Sequence, residues 1–77
     1  MRPRDVSRAL VEIGFTKDGS SRTYRRGGLS ANMSAWTLHM SGDGASVVMD
    51  LDDIRMIRLE GRLMRIIVRG GHHSFLM

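Results

Sequence analysis

The sequence predicts an α+β fold in which an N-terminal amphipathic helix packs on a curved antiparallel sheet or a small barrel of about five strands. Apolar residues recur at helical spacing near the N-terminus, alternate with polar residues along 34–40, and form a β-branched run near the C-terminus. Short strand-like runs separated by Gly-containing turns are typical of antiparallel hairpins. We expect one domain over residues 1–77, with a helix over about 3–13, strands over about 21–26, 34–40, 45–50, 54–60 and 63–69, and a tail over 70–77.

The first element is predicted from its periodicity. Val6, Leu10 and Ile13 follow the i, i+4, i+7 spacing of a helix with one buried stripe. Gly14 can adopt the left-handed conformation that ends a helix, and Phe15 stands where such an ending places an apolar contact back onto Leu10. The helix is therefore expected to stop at about residue 13.

A turn and a short strand are expected next. Residues 17–20 combine Lys, Asp, Gly and Ser, a composition that favours a tight turn. The strand over 21–26 depends on the β-formers Thr23 and Tyr24, and Gly27-Gly28 breaks it. Residues 29–33 are expected to form a loop.

A hairpin is predicted around residue 43. Trp36, Leu38 and Met40 alternate with more polar residues, and Gly42-Asp43-Gly44 is a turn signal. Placing the turn at Asp43-Gly44 makes the register self-consistent, because it pairs only apolar residues. The expected pairs are Met40 with Val47, Leu38 with Met49 and Trp36 with Leu51.

Residues 54–69 are predicted to form a hairpin and not a helix. Gly61 interrupts the run, and Ile66-Ile67-Val68 is β-branched. A turn at Gly61-Arg62 places Leu59 opposite Met64 and Ile57 opposite Ile66. The same register places Arg58 opposite Arg65 on the other face, beside Met56 and Ile67.

Length and charge limit what this chain can be. A chain of 77 residues and 8.6 kDa buries only about 60% of its unfolded surface, so its core is marginal and a partner subunit would help. The net charge is +4, distributed as +4 over residues 1–26, −4 over 27–53 and +4 over 54–77. These charges either compensate each other across strands or form one-signed patches.

Several functions are set aside. The chain has no cysteine, which excludes disulfides and thiolate metal sites. We expect no signal peptide, no membrane span and a cytoplasmic protein, because no apolar run is long enough. Adjacent His72 and His73 would point to opposite faces of a strand, so we predict neither a metal site nor a cofactor. No nucleophile motif or paired carboxylates indicate an enzyme.

Two basic clusters are the candidate binding residues. Arg58 and Arg65, with Met56 and Ile67 beside them, would present two like charges and an apolar surface to an anionic partner. The alternative is that both arginines extend into water or pair with Glu60 or the aspartates at 50–53. The second cluster consists of Arg22, Arg25 and Arg26, with Tyr24 either in the core or available to stack a base.

Two short segments resemble known families. The segment from Val6 to Arg25 resembles the start of HicA-type RNA-cleaving toxins, but Ser21 stands where that family has its catalytic histidine, so RNA cleavage is not implied. Residues 66–70 are similar to the second motif of Sm-like RNA-binding rings, which place a helix before five strands. The first motif of those rings has no counterpart in this sequence.

The function we expect is that of a small non-enzymatic binding or regulatory module that engages an acidic partner surface through arginine-rich strand faces. The alternative is a small regulator that binds a DNA or RNA backbone. Self-association is expected because the core is marginal and sheet edges need covering. A short arginine-rich chain is also typical of phage or mobile-element accessory proteins.

Overall fold

The chain begins with a helix and continues as antiparallel strands in a computed structural model that describes residues 1–42 and 44–77. A short 3-10 turn connects the strands of the first sheet to those of the second. In chain order the elements are α1 (Pro3–Glu12), β1 (Thr16–Lys17), β2 (Thr23–Arg26), β3 (Leu29–Met33), β4 (Thr37–Gly42), β5 (Ala45–Asp50), the 3-10 turn (Leu51–Asp53), β6 (Ile54–Glu60), β7 (Leu63–Val68) and β8 (Gly71–Leu76).

The strands form two sheets, in which each strand pairs with its neighbour along the chain. The first sheet has the order β1-β2-β3-β4-β5 and the second the order β6-β7-β8. The broad α+β prediction is confirmed. The prediction of about five strands in one curved sheet or a barrel is wrong in detail, because the described residues contain eight strands and do not close into a barrel.

The helix ends as its sequence predicts. Gly14 has φ +101°, and its N–H donates to the carbonyl of Val11 at 3.0 Å. The N–H of Phe15 donates to the carbonyl of Leu10 at 2.9 Å, and both side chains are buried. These two hydrogen bonds are those of a Schellman ending, which satisfies carbonyls that a helix leaves free.

One apolar cluster joins the helix to both sheets. Helix α1 lies against β1 and β6, and the hydroxyls of Ser7 and Tyr24 are hydrogen-bonded at 2.5 Å. Except at the start of β6, every second residue of the long strands points inward, as a half-buried sheet requires. The cluster consists of Val6, Leu10, Phe15, Tyr24, Leu29, Ala31, Met33, Leu38, Met40, Met49, Leu51, Ile54, Ile57, Met64, Ile66 and Phe75.

Three strands lie where no strand was predicted. Residues Thr16–Lys17 form a two-residue strand at the start of the expected turn. The expected loop over 29–33 is β3, in which Leu29, Ala31 and Met33 alternate toward the core. The expected tail over 70–77 contains β8, which pairs along its whole length with β7. In β3 and β8, pairing and the burial of alternate residues outweigh weak strand propensity. Both residues of β1 are exposed, and this strand is defined by its pairing with β2.

The strand expected over 34–40 begins later, at Thr37. The hydroxyl of Ser34 accepts hydrogen bonds from the backbone N–H groups of Trp36, at 3.3 Å, and Thr37, at 3.0 Å, which makes residues 34–37 a tight turn. The pairs Met40 with Val47 and Leu38 with Met49 are confirmed. Trp36 and Leu51 lie just beyond the ends of β4 and β5, but the predicted register extends to them, because the backbone N–H of Leu51 donates to the carbonyl of Trp36 at 2.8 Å. The indole of Trp36 is nevertheless 78% exposed and does not join the core. The predicted turn at Gly42-Asp43-Gly44 includes residue 43, which lies outside the described residues.

The last hairpin is confirmed in register. Glu60 pairs with Leu63 across the turn at Gly61-Arg62, and Leu59 with Met64 and Ile57 with Ile66 follow. The ladder shifts by one residue between Ile54 and Met56, which is a β-bulge at the start of β6.

Candidate binding surfaces

The second sheet has an outer face that we call the arginine face. On β6, β7 and β8 the residues Ile57, Met64, Ile66 and Phe75 are buried, and their neighbours along each strand point away from the core. Those neighbours are Met56, Arg58, Glu60, Leu63, Arg65, Ile67, His72, Ser74 and Leu76. This face is the one on which sequence reasoning placed its first basic cluster.

Arg58 and Arg65 lie directly opposite each other on this face. Glu60 binds both of them. Its Oε1 lies 2.7 Å from Nη2 of Arg58, and its Oε2 lies 3.5 Å from Nη1 of Arg65. The side chains of Arg58 and Arg65 remain 45% and 30% exposed. Two cations therefore share one carboxylate, which leaves a net charge of +1 at the centre of the face.

Apolar side chains flank the arginines on both sides. Met56 pairs with Ile67 in one neighbouring row, and Leu63 pairs with Leu76 in the other. Met56 and Leu76 are large and exposed. The central row of the face is Arg58, Arg65 and Ser74, and each flanking row joins two apolar residues to one polar residue, His72 beside Ile67 and Glu60 beside Leu63. Protein interfaces favour such a mixture of Met, Arg and apolar side chains.

The second predicted cluster does not form one patch. Arg25 pairs with Asp18, with 3.4 Å between Nε and Oδ2, on the solvent side of the first sheet. Arg26 points to the other side, where it donates a hydrogen bond to the carbonyl of Ile13 at the end of α1. Tyr24 is only 5% exposed and belongs to the core. Adjacent strand residues face opposite ways, so the run of residues 24–26 is divided between the two faces.

Arg22 lines a cavity that the sequence did not reveal. We call it the basic cavity; it has a volume of about 350 Å³ and lies between the start of α1, the β1–β2 hairpin and the β3–β4 turn. This volume is within the range of small-molecule sites. The residues around it are Pro3, Lys17, Arg22, Tyr24, Met33, Ser34 and Ala35.

Trp36, the single tryptophan of the chain, is 78% exposed. It directly follows Ala35, which lines the cavity, and is not itself one of the lining residues. Sequence reasoning assigned it to the core because it continues the alternation of Leu38 and Met40. The signal that could have corrected this is Ser34, a residue type whose hydroxyl commonly forms turns with the following backbone N–H groups.

Side chains that could bind a metal are dispersed. His72 lies opposite Ile67 on the arginine face, whereas His73 lies opposite Ile66 on the inner side. Nε2 of His39 lies 2.5 Å from the hydroxyl of Ser46. Across residues 1–42 and 44–77, no three His, Asp or Glu side chains come together as a ligand set.

None of the helices in the described part of the chain has the length and apolar character needed to cross a membrane. No protein-family model, curated protein or solved structure matches this chain.

Proposed function

We propose that this protein is a small non-enzymatic binding module that engages an acidic surface on a partner protein through the arginine face. The observation that carries the proposal is the opposed pair of Arg58 and Arg65 with a single carboxylate between them. Like charges in opposed positions of a ladder repel each other. A second carboxylate, supplied by the partner, would relieve that repulsion.

The apolar side chains beside the two arginines favour a protein partner over a nucleic acid. Met56, Ile67, Leu63 and Leu76 could pack against an apolar patch while the arginines form bidentate hydrogen bonds with carboxylates. Contact with a nucleic acid is made mainly by cations along a backbone. On this face, apolar side chains lie on both sides of Arg58 and Arg65, which suits a mixed apolar and acidic surface better than a phosphate chain.

Charge reversal of the opposed pair is the direct test. We expect Arg58→Glu/Arg65→Glu to abolish binding to polyglutamate, used as a defined acidic polypeptide, at low salt. Glu60→Gln should act in the opposite direction, because it removes the carboxylate that competes with the partner for both arginines. Titration by calorimetry measures both effects.

Arg4→Glu/Arg8→Glu is the matched control, because it makes the same change in net charge on the exposed side of α1. Equal losses in the two double variants would contradict a specific site. Thermal unfolding of Arg58→Glu/Arg65→Glu should show a loss of about 1–2 kcal/mol, because the variant loses two partly exposed ion pairs and places carboxylates at positions 58, 60 and 65 side by side. Tight, salt-sensitive binding of duplex DNA or RNA that this variant loses would favour the nucleic-acid alternative instead.

Self-association is proposed through the free edge of β8. This edge strand, Gly71–Leu76, contains no Lys, Arg, Asp or Glu, whereas β6 at the other edge of the same sheet has a bulge and charged residues. Edges without such protection pair readily with another strand. Two copies joined along β8 would form a continuous six-stranded sheet with both arginine faces on one side.

Light scattering at high micromolar concentration should therefore report twice 8.6 kDa. Ser74→Lys places a charge on the exposed side of β8 and should yield a monomer, because the two introduced lysines would repel across the edge. Ser20→Lys, in the exposed loop after β1, is the control and should remain a dimer. A mass of 8.6 kDa for the unmodified chain would reject the dimer.

A further inference from the structure

The basic cavity presents two cations that are free to bind an anion. Lys17 and Arg22 both line it and both are exposed. In residues 1–42 and 44–77, neither side chain has a carboxylate within 4.0 Å, unlike Arg25 nearby, which pairs with Asp18. The remaining walls come from Pro3, Tyr24, Met33, Ser34 and Ala35. The hydroxyls of Tyr24 and Ser34 are hydrogen-bonded to Ser7 and Thr37, so most of the remaining wall is apolar. The ligand should therefore combine an anionic group with an apolar body.

Trp36 directly follows Ala35, a residue of the cavity wall, so its exposed indole starts one residue away from this site. Its backbone is fixed on both sides: its N–H donates to Ser34, and its carbonyl accepts the N–H of Leu51 at 2.8 Å. Ser34 also contacts the hydroxyl of Thr37 at 2.8 Å. An indole held on a rigid turn and left in solvent is an unusual use of a large apolar side chain. It can stack on an aromatic ring without a change in the backbone.

We propose that the basic cavity and Trp36 together bind a nucleotide unit, with Lys17 and Arg22 on the phosphate and the indole stacked on the base. A nucleotide carries the required anion and the required aromatic ring in one ligand. Arginine binds phosphate bidentately, and lysine adds a point charge. Stacking of bases on aromatic side chains tolerates any base. The site accordingly recognises the class of ligand and not its sequence.

This site is independent of the arginine face, because the two share no residue. The nucleotide could be free or could belong to a single-stranded nucleic acid, and the same phosphate and base chemistry serves both. A duplex is a poor fit, since its bases are stacked inside and cannot reach the indole.

The single tryptophan makes the test direct. Adenosine monophosphate and a single-stranded oligouridylate of twelve nucleotides are titrated separately while Trp36 fluorescence is followed, with inorganic phosphate as the comparison. We expect quenching by either nucleotide probe and none by phosphate. If the dissociation constant per site is lower for the oligouridylate than for adenosine monophosphate, the ligand is a single strand. If the two dissociation constants are equal, the ligand is a free nucleotide. Absence of quenching by both at low salt would overturn the proposal.

Variants show whether the cavity is responsible. Lys17→Ala/Arg22→Ala should weaken binding about tenfold or more, and Trp36→Ala about fivefold or more, measured by anisotropy of labelled oligouridylate. Arg62→Ala/Arg69→Ala removes two charges at exposed positions away from the cavity and should change little. Equal losses in both double variants would overturn the site in favour of general attraction. Arg58→Glu/Arg65→Glu should still show Trp36 quenching, which separates this result from that of the arginine face.

Discussion

Gly42→Ala is expected to destabilise the protein by about 2–5 kcal/mol. Gly42 ends β4 with φ +148°, a conformation that residues with a side chain rarely adopt. A Cβ atom there would lie 2.6 Å from the carbonyl oxygen of Gly28 and 2.8 Å from Cδ2 of Leu29. The backbone oxygen belongs to the β2–β3 turn and cannot move unless that turn opens.

The expected loss is a large fraction of the total. A domain of this length has a free energy of unfolding of about 4–11 kcal/mol. Gly27→Ala is the matched control, because Gly27 also has a positive φ, +56°, but has no atom within 4 Å of the added Cβ. It should lower the free energy of unfolding by only about 1–2 kcal/mol.

Urea unfolding followed by circular dichroism measures both variants. If the two variants unfold at the same urea concentration, the close approach of Gly42 to Gly28 is not a determinant of the fold. A clear separation would show that the contact between the end of β4 and the β2–β3 turn holds the first sheet together.

The elements that sequence analysis predicted correctly have strong local signals. The helix combines an apolar stripe with Gly14 and Phe15 in the order of a Schellman ending. The last hairpin has a single register that places its apolar residues on one face, so the opposition of Arg58 and Arg65 followed from pairing alone.

The elements that were missed lack strong local strand signals. β3 contains Ser30, Ala31 and Asn32, which have little strand propensity, and it forms because β2 and β4 pair with both of its edges. β8 begins with Gly71, contains no Lys, Arg, Asp or Glu, and pairs with β7 alone. Each of the two follows its partner across a two-residue turn, Gly27-Gly28 before β3 and Arg69-Gly70 before β8, so the signal that was missed is a hairpin turn.

For the candidate sites, too, the sequence predicts some features and only the structure shows the others. The sequence locates the arginines but leaves open whether they find Glu60, and the structure places that carboxylate between them. The basic cavity joins Lys17 and Arg22 to residues of α1 and the β3–β4 turn, which are far apart in sequence. Trp36 lies in a turn before β4 that is closed by the backbone hydrogen bond from Ser34 N–H to the Thr37 carbonyl, at 2.9 Å, and by the hydroxyl of Ser34.

The first sheet depends on the buried side of its interior strand β4 as much as on its turns. Leu38→Ala is expected to lower the free energy of unfolding by about 2–5 kcal/mol. Leu38 is fully buried on β4, and it lies opposite Met33 of β3 and Met49 of β5. Its truncation leaves a cavity that two flanking strands cannot fill without leaving their register.

Val48→Ala on the next strand is the control for this substitution. Val48 is 62% exposed and lies opposite His39 on the outer side of the same hairpin, so its truncation should change the free energy of unfolding by less than about 1 kcal/mol. Both values come from urea unfolding. Similar losses in the two variants would mean that the inward side of β4 is not the side that the core uses. A large difference would confirm that the residues of β4 and β5 alternate between a buried and an exposed side.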